Sequence, residues 1–211
     1  MEDSGDHDWL IQGSTSSDEV RRIYDDWATR YDDNLAEWDY RAPAQAAAYL
    51  RETVPLDAEI LDVGCGTGLV GDALRHAGYT GPLDGIDLSS DSLAQAKTRD
   101  AYRTLTPVDL QALPISLSDN FYDALICVGV LTYIPDCEAL LREFTRLVRP
   151  GGSILITQRE DLFHERGFER IFGNLADVVA ETAVTAPLPY LPDNPDFGDE
   201  IGVVYATMKV V

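Results

Sequence analysis

Glycines at alternate positions after a short apolar run, Ile60-Leu61-Asp62-Val63-Gly64-Cys65-Gly66-Thr67-Gly68, are the residues here whose spacing best suits chemistry on a ligand. Glycine lets the backbone turn sharply at a strand end and approach a ligand that a Cβ would hold off. Acids flank the turn: Asp62 before it, and Asp87, 19 residues after Gly68, closing a second apolar run that starts at Pro82. An acid at about that distance is placed to accept hydrogen bonds from ribose hydroxyls, in dinucleotide and adenosyl ligands alike. The spacing is G-x-G-x-G rather than G-x-G-x-x-G, and Asp62 beside a pyrophosphate would set like charges together in a poorly solvated crevice. The pattern therefore disfavours NAD and FAD and suits a ligand carrying an ammonium and a sulfonium.

With these residues the chain resembles the class I S-adenosylmethionine-dependent methyltransferases over roughly residues 20 to 160. Asp62, Gly64, Cys65, Gly66 and Gly68 match the first motif of that family. By the same resemblance Asp87 in Gly-Ile-Asp-Leu-Ser is the ribose-binding acid, Leu88 packs on the adenine, and Asp109 in Val-Asp-Leu-Gln-Ala-Leu-Pro meets the adenine amino group, with Leu110 beside it. Phe121 to Leu131 looks like the fourth strand, bringing Val128 to the cofactor, and Leu140 to Thr157 like the following helix, turn and fifth strand. The resemblance implies S-adenosyl-L-methionine as cofactor.

The stretch 24 to 43, Tyr-Asp-Asp-Trp-Ala-Thr-Arg-Tyr-Asp-Asp followed by Trp-Asp-Tyr-Arg-Ala-Pro, is similar to the entry of the Williams–Beuren-region methyltransferase-like subfamily. By that resemblance Tyr24 and Tyr31 belong to a lid over the cofactor. Tyr24, Trp27 and Tyr31 also stand at i, i+3 and i+7, the spacing of an amphipathic helix that simply packs on the domain, and both readings stay open.

Methyl transfer needs position and electrostatics from the protein, with a general base where the acceptor atom carries a proton. Ligands of open α/β sheets sit outside the carboxyl ends of the strands. The stretch after strand four contains Tyr133, where many relatives of this type carry histidine; it is a candidate pocket wall or catalytic hydroxyl. His164, after strand five, is the second catalytic candidate, although a lone helical histidine is more often a surface or packing residue. His7 and His76 have no supporting context, so no metal site is expected.

Elements that could position these residues alternate. A helix is expected from Ser17 or Asp18 to Tyr31, and another from Pro43 to Thr53. Strands are expected at Glu59–Val63, Leu83–Asp87, Thr104–Val108, Ala124–Val128 and Ser153–Gln158, with helices at Leu69–Ala77, Asp91–Arg99 and Glu138–Val148. A helix from Asp161 to Thr182, interrupted at Gly167 and Gly173, precedes a closing antiparallel pair, Val184–Leu188 and Gly202–Lys209, at the sheet edge. The fold class is α/β: a Rossmann-like, doubly wound, seven-stranded sheet, mostly parallel with an antiparallel C-terminal hairpin. Residues 1–16 form an acidic, aperiodic arm in which Trp9, Leu10 and Ile11 could dock; 17–211 form one domain, with 17–54 as its lid.

A formal charge of -21 with 16 basic residues opposes the field of DNA or RNA, so a nucleic-acid partner is not expected. It favours a cationic or neutral acceptor. No apolar run reaches membrane-span length, the start lacks a signal-peptide pattern, and Cys65, Cys127 and Cys137 show neither framework spacing nor C-x-x-C. A cytoplasmic, monomeric or weakly dimeric protein is the expectation. Three functions fit: a methyltransferase on a small molecule, a module that binds S-adenosylmethionine or S-adenosylhomocysteine without turnover, and, disfavoured by the turn, an NAD-dependent oxidoreductase. Lysine occurs only as Lys97 and Lys209, so the acidic surface suits a salty cell interior. Unfolding and activity measured against salt concentration should then improve with salt; greatest stability in dilute buffer removes that idea.

Overall fold

The computed structural model describes residues 13–195 and 201–211. At the centre of the described residues is a sheet in the order β3-β2-β1-β4-β5-β8-β6, with the short β7 beside β8. Its strands are β1 (Ile60–Val63), β2 (Leu83–Asp87), β3 (Thr104–Pro107), β4 (Tyr122–Cys127), β5 (Val148–Arg159), β6 (Val179–Val184), β7 (Leu188–Pro189) and β8 (Gly202–Val210). The helices are α1 (Ser17–Trp27), α2 (Tyr31–Glu37), α3 (Ala42–Arg51), α4 (Leu69–His76), α5 (Ser90–Lys97), α6 (Cys137–Leu147), α7 (Glu160–Glu165) and α8 (Phe168–Asn174). β1 pairs in parallel with both β2 and β4, and β4 with β5, while β8 runs antiparallel to β5 and β6. The chain order thus reverses direction across the sheet at β1 and β4, where a ligand crevice opens in such folds.

Both faces of the sheet are covered, as a parallel sheet requires. On one face Leu140, Leu141, Phe144 and Leu147 of α6 pack with Phe168 and Ile171 of α8 against Leu61, Val63, Leu125 and Ile154. On the other, Ala46, Ala47 and Leu50 of α3 and Val70 and Leu74 of α4 cover Ile60, Ile126, Leu155 and Tyr205. A third cluster, Trp27, Leu35, Trp38 and Leu191, ties the N-terminal helices to the segment after β7.

The expected order of elements is present, but the sheet has eight strands rather than the expected seven, because Leu188–Pro189 pairs with β8 as a short strand of its own, and three further elements differ. The helix expected to reach Tyr31 ends at Trp27, and a separate α2 begins at Tyr31. The helix expected over 161–182 is two short helices, because Gly167 at φ +65° reverses the backbone between them, and its last part is strand β6. β8 is not at the edge: it lies between β5 and β6, with Ala206, Thr207, Met208 and Lys209 paired on both sides, and β6 takes the edge. Of the expected arm, residues 1–12, including Trp9, Leu10 and Ile11, lie outside the described residues. Its last residues touch the domain: the Thr15 carbonyl accepts from Gln111 Nε2 at 2.9 Å.

The strands are clamped together at the end of the sheet away from the crevice. Asp84 on β2, 6 % exposed, accepts from Arg103 Nε at 2.9 Å, Thr104 Oγ1 at 2.6 Å and Tyr122 Oη at 3.1 Å. Burial pushes its carboxyl up, but these donors outweigh it and hold the group below its ordinary value. Asp84→Ala removes the shared acceptor of β2, β3 and β4. The expected loss, by denaturant unfolding, is about 2 kcal/mol, toward the low end for a broken buried pair because Arg103 is partly exposed; an unchanged midpoint would show that the clamp is not stabilising.

Candidate functional site

The glycine turn follows β1 and is laced to the end of β2. The N–H groups of Gly64 and Cys65 both donate to the Ile86 carbonyl, at 2.8 and 3.0 Å, and the Gly66 N–H donates to Asp87 Oδ2 at 2.8 Å. The other Asp87 oxygen accepts from the Ser89 N–H at 2.8 Å. Burial pushes the Asp87 carboxyl up, and the N–H groups of Ser89, Gly66 and Leu88 work against it. Gly66 needs its freedom: it stands at φ +52°, and a Cβ there would project into open space, with nothing within 4 Å. Gly64, at φ +69°, is fixed by contact as well, since a Cβ would come 2.2 Å from Val130 Cγ2.

A cleft opens beside this turn. Its wall includes Gly64, Gly66, Asp87, Leu88, Asp109 and Leu110, with Val128, Gly129, Val130 and Tyr133 from the end of β4 and Tyr24 and Tyr31 from the N-terminal helices. Asp109 Oδ1 accepts from the Gln111 N–H at 2.9 Å and from Ser17 Oγ at 3.0 Å, so the start of α1 is tied to the wall. Further along, Asp25 accepts from Ser89 Oγ at 2.5 Å and Asp32 from Thr67 Oγ1 at 2.6 Å. The two readings of Tyr24, Trp27 and Tyr31 divide between residues. Trp27 is 5 % exposed in the aromatic cluster, whereas Tyr24 and Tyr31 are half-buried and face the cleft.

Three expected cofactor contacts are not on the wall. Gly68 backs onto α5, where a Cβ would come 2.8 Å from Arg99 Cδ and 3.2 Å from Ala96 Cα, so its smallness serves helix packing. Cys65 turns into the core. Asp62 is fully buried beneath the turn; its Oδ2 accepts from Tyr102 Oη at 2.6 Å, and its Oδ1 has no partner. Asp62 is not on the cleft wall, and burial pushes its carboxyl up to about 7, against the pull of Tyr102. Asp62 therefore does not by itself exclude a pyrophosphate. Tyr102 carries no motif in the sequence, yet its hydroxyl also accepts from the Gly71 N–H at 3.1 Å, joining β1 to the first turn of α4.

The two catalytic candidates separate. Tyr133, on the 3-10 turn Leu131–Tyr133, reaches the cleft and accepts from Tyr24 Oη at 3.0 Å. Burial raises its phenol, which the Tyr24 bond and Arg159 only partly oppose, so at neutral pH it is a protonated hydroxyl rather than a base. His164 does not reach the cleft. Phe163, its neighbour on α7, packs inward against Phe168, and a helical step of about 100° turns His164 out, where it stands 3.5 Å from Glu169.

Residues 61–156 match the family described as "Methyltransferase domain". Methyltransferase-like protein 27 of Homo sapiens is 37 % identical over 142 residues, covering 65 % of this chain and 56 % of the relative. The demethylmenaquinone methyltransferase of Bacillus licheniformis is 35 % identical over 124 residues, covering 56 % of this chain and 52 % of the relative. The chain thus spans little more than half the length of these curated relatives. A TehB-like SAM-dependent methyltransferase from Corynebacterium glutamicum shares the fold with TM-score 0.65 and 20 % identity, over 90 % of this chain and 99 % of that one.

Asp62→Asn keeps an oxygen acceptor for Tyr102 and removes the titrating group. Between roughly pH 4 and 7 the folded parent holds a proton that its unfolded chain has released. Its stability relative to the variant should therefore fall as pH rises through that window, by up to about 1.4 kcal/mol per unit, and level off above it. Melts at pH 5 and 8 check this: a difference independent of pH would mean that Asp62 is ionised throughout.

Proposed function

We propose that the class I S-adenosylmethionine-dependent methyltransferase domain carried by this chain methylates a small-molecule acceptor. The observation that carries this reading is the Asp87 carboxylate, held at the cleft wall by the N–H groups of Gly66 and Ser89. Its two oxygens spend acceptor positions on the backbone and keep capacity for ribose hydroxyls. Leu88 and Leu110 offer apolar walls for an adenine, Asp109 Oδ2 is left for its amino group, and the open space at Gly66 admits close approach. The residues present fit S-adenosylmethionine, the cofactor of this family.

When bound, the cofactor supplies an electrophilic methyl group on a sulfonium. The chain's own part is to hold the acceptor in line and to exclude water. Tyr24 and Tyr31, with α1 pinned at Ser17–Asp109 and Asp25–Ser89 and α2 at Asp32–Thr67, serve as the lid in this reading. Tyr133 lines the acceptor end and positions the acceptor rather than deprotonating it.

A small acceptor agrees with the quinone-pathway name of the Bacillus relative and with the charge of -21, which opposes a nucleic-acid substrate. Similarity at Tyr24 to Pro43 and the match to methyltransferase-like protein 27 support placement in the Williams–Beuren-region methyltransferase-like subfamily. The same reading gives a monomer or weak dimer in the cytoplasm. A second reading, a module that binds the cofactor without turnover, is favoured by one observation: Tyr133, where a base would be sought, is a raised phenol.

Calorimetric titration with S-adenosylmethionine, S-adenosylhomocysteine and NAD tests the proposal. Micromolar binding of the adenosyl ligands alone is expected, and Asp87→Ala should weaken it about 10-fold or more, as for hydrogen bonds to a charged acceptor. NAD binding alone overturns the reading, while full affinity in a folded Asp87→Ala variant removes the ribose assignment.

A further inference from the structure

Beyond the adenosyl end of the cleft, phenol side chains from well-separated stretches of sequence converge on the end of β4. Tyr24, Tyr31 and Tyr133 line the cleft itself. Tyr40 and Tyr190 stand edge to face, ring centres 5.7 Å apart, behind Gly129. Gly129 is at φ +75°, and a Cβ there would come 3.1 Å from the Tyr40 hydroxyl and 3.9 Å from that of Tyr190. Glycine thus leaves both hydroxyls a path to the cleft.

The hydrogen bonds within this cluster leave protons unspent. Tyr24 donates to the Tyr133 oxygen, so the Tyr133 proton is directed elsewhere, and donating into it makes it a stronger donor. Among the described residues the hydroxyls of Tyr31 and Tyr40 have no hydrogen-bond partner, and neither is a fully buried orphan. Burial pushes the phenols of Tyr31, Tyr40 and Tyr133 up, so all three remain donors at any physiological pH. The fixed charges around the cluster differ along it: the carboxylates of Asp87 and Asp32 bear on Tyr31, whereas at the β4 end a cation, Arg159, 5 % exposed, lies on the face of β5 that carries Thr157, whose Oγ1 accepts from the Gly129 N–H at 2.9 Å. Asp161 holds the Arg159 guanidinium, accepting from Nε at 3.1 Å and Nη2 at 2.6 Å, and the cation still bears on the hydroxyls of Tyr133 and Tyr190.

Hydroxyl donors gathered at the attacking atom discriminate between nucleophiles. A neutral amine has one lone pair, and an O–H donor aimed at it competes with the electrophile. An anionic oxygen has three, so it can accept from two donors and still attack with the third. We propose that the acceptor presents an anionic oxygen, a carboxylate or an acidic phenolate, received by the hydroxyls of Tyr31, Tyr40 and Tyr133 beside Gly129. This rests on the methyltransferase reading above. The new O–CH3 bond forms as the methyl group's bond to sulfur breaks and its electron pair stays on sulfur. Anion and sulfonium become two neutral products, and no proton has to be taken up. The charge of -21 pointed toward a cationic or neutral acceptor. Surface charge is screened beyond about 10 Å in ordinary salt, whereas these donors are what a bound acceptor meets.

The test uses the full chain saturated with S-adenosylhomocysteine, whose own binding is measured first; if it does not bind, the methyltransferase reading fails and not merely the acceptor class. Benzoate, indole-3-acetate and 4-nitrophenolate are then titrated by NMR against the size-matched amines benzylamine, tryptamine and 4-nitrobenzylamine. Binding of at least one carboxylate or phenolate, with no amine tighter, is expected, and the carboxylate and phenolate arms distinguish the two sources. Tyr31→Phe and Tyr40→Phe keep the rings and should weaken the oxygen probe about 10-fold, while Tyr40→Phe leaves the affinity for S-adenosylhomocysteine unchanged and so reports a folded protein. Tighter amine binding, binding of no probe, or full oxygen-probe affinity in both variants overturns the proposal.

Discussion

Asp87 accepts at once from the turn after β1 and from the loop after β2, and the cleft depends on that double hold. The turn leaves backbone N–H groups without partners inside the sheet, and a buried N–H has to be matched. Ile86 and Asp87 meet that demand together, the carbonyl taking Gly64 and Cys65 and the carboxylate taking Gly66. A ligand entering the cleft therefore finds the turn already shaped and an acid already oriented. Preorganisation of this kind lowers the cost of binding more than additional contact area does.

Two other acids show how differently the same side chain behaves when its partners differ. Asp84, away from the cleft, collects donors from Arg103, Thr104 and Tyr122 and stays ionised while holding three strands together. Asp62 lies under the turn with a single phenol donor and an orphan oxygen, so burial dominates and its carboxyl is raised. Three hydrogen-bond donors, one of them a guanidinium, are enough to offset desolvation; one neutral hydroxyl is not. Tyr102, linking Asp62 to Gly71, passes the position of β1 to the helix that follows the turn.

The other half of the cleft is built by packing at a distance. α1 and α2 cross its mouth because Trp27, Leu35 and Trp38 need a core of their own, which they form with Leu191 from the far end of the chain. Anchoring these rings leaves Tyr24 and Tyr31 facing the cleft and brings Tyr40 and Tyr190 to Gly129. A chamber lined by neutral phenols is therefore the by-product of an aromatic staple, which leaves the hydroxyls of Tyr31 and Tyr40 unspent among the described residues.

Sequence alone determined the alternation of strands and helices, the glycine turn and the acids Asp87 and Asp109, because these are written in local periodicity, in turn chemistry and in spacing along one chain. It placed β2 to the residue and the other early strands within a few residues. It did not determine where β8 inserts, since strand order depends on pairing between segments distant in sequence. Nor did it show that Asp62 and Gly68 face inward, that His164 turns out, or that Tyr40, Tyr102 and Tyr190 belong near the site. A residue's type does not say which neighbours will surround it. Tertiary packing decided those matters, because burial, the pull on a titrating group and the direction of a hydroxyl all come from atoms that only the folded chain brings together.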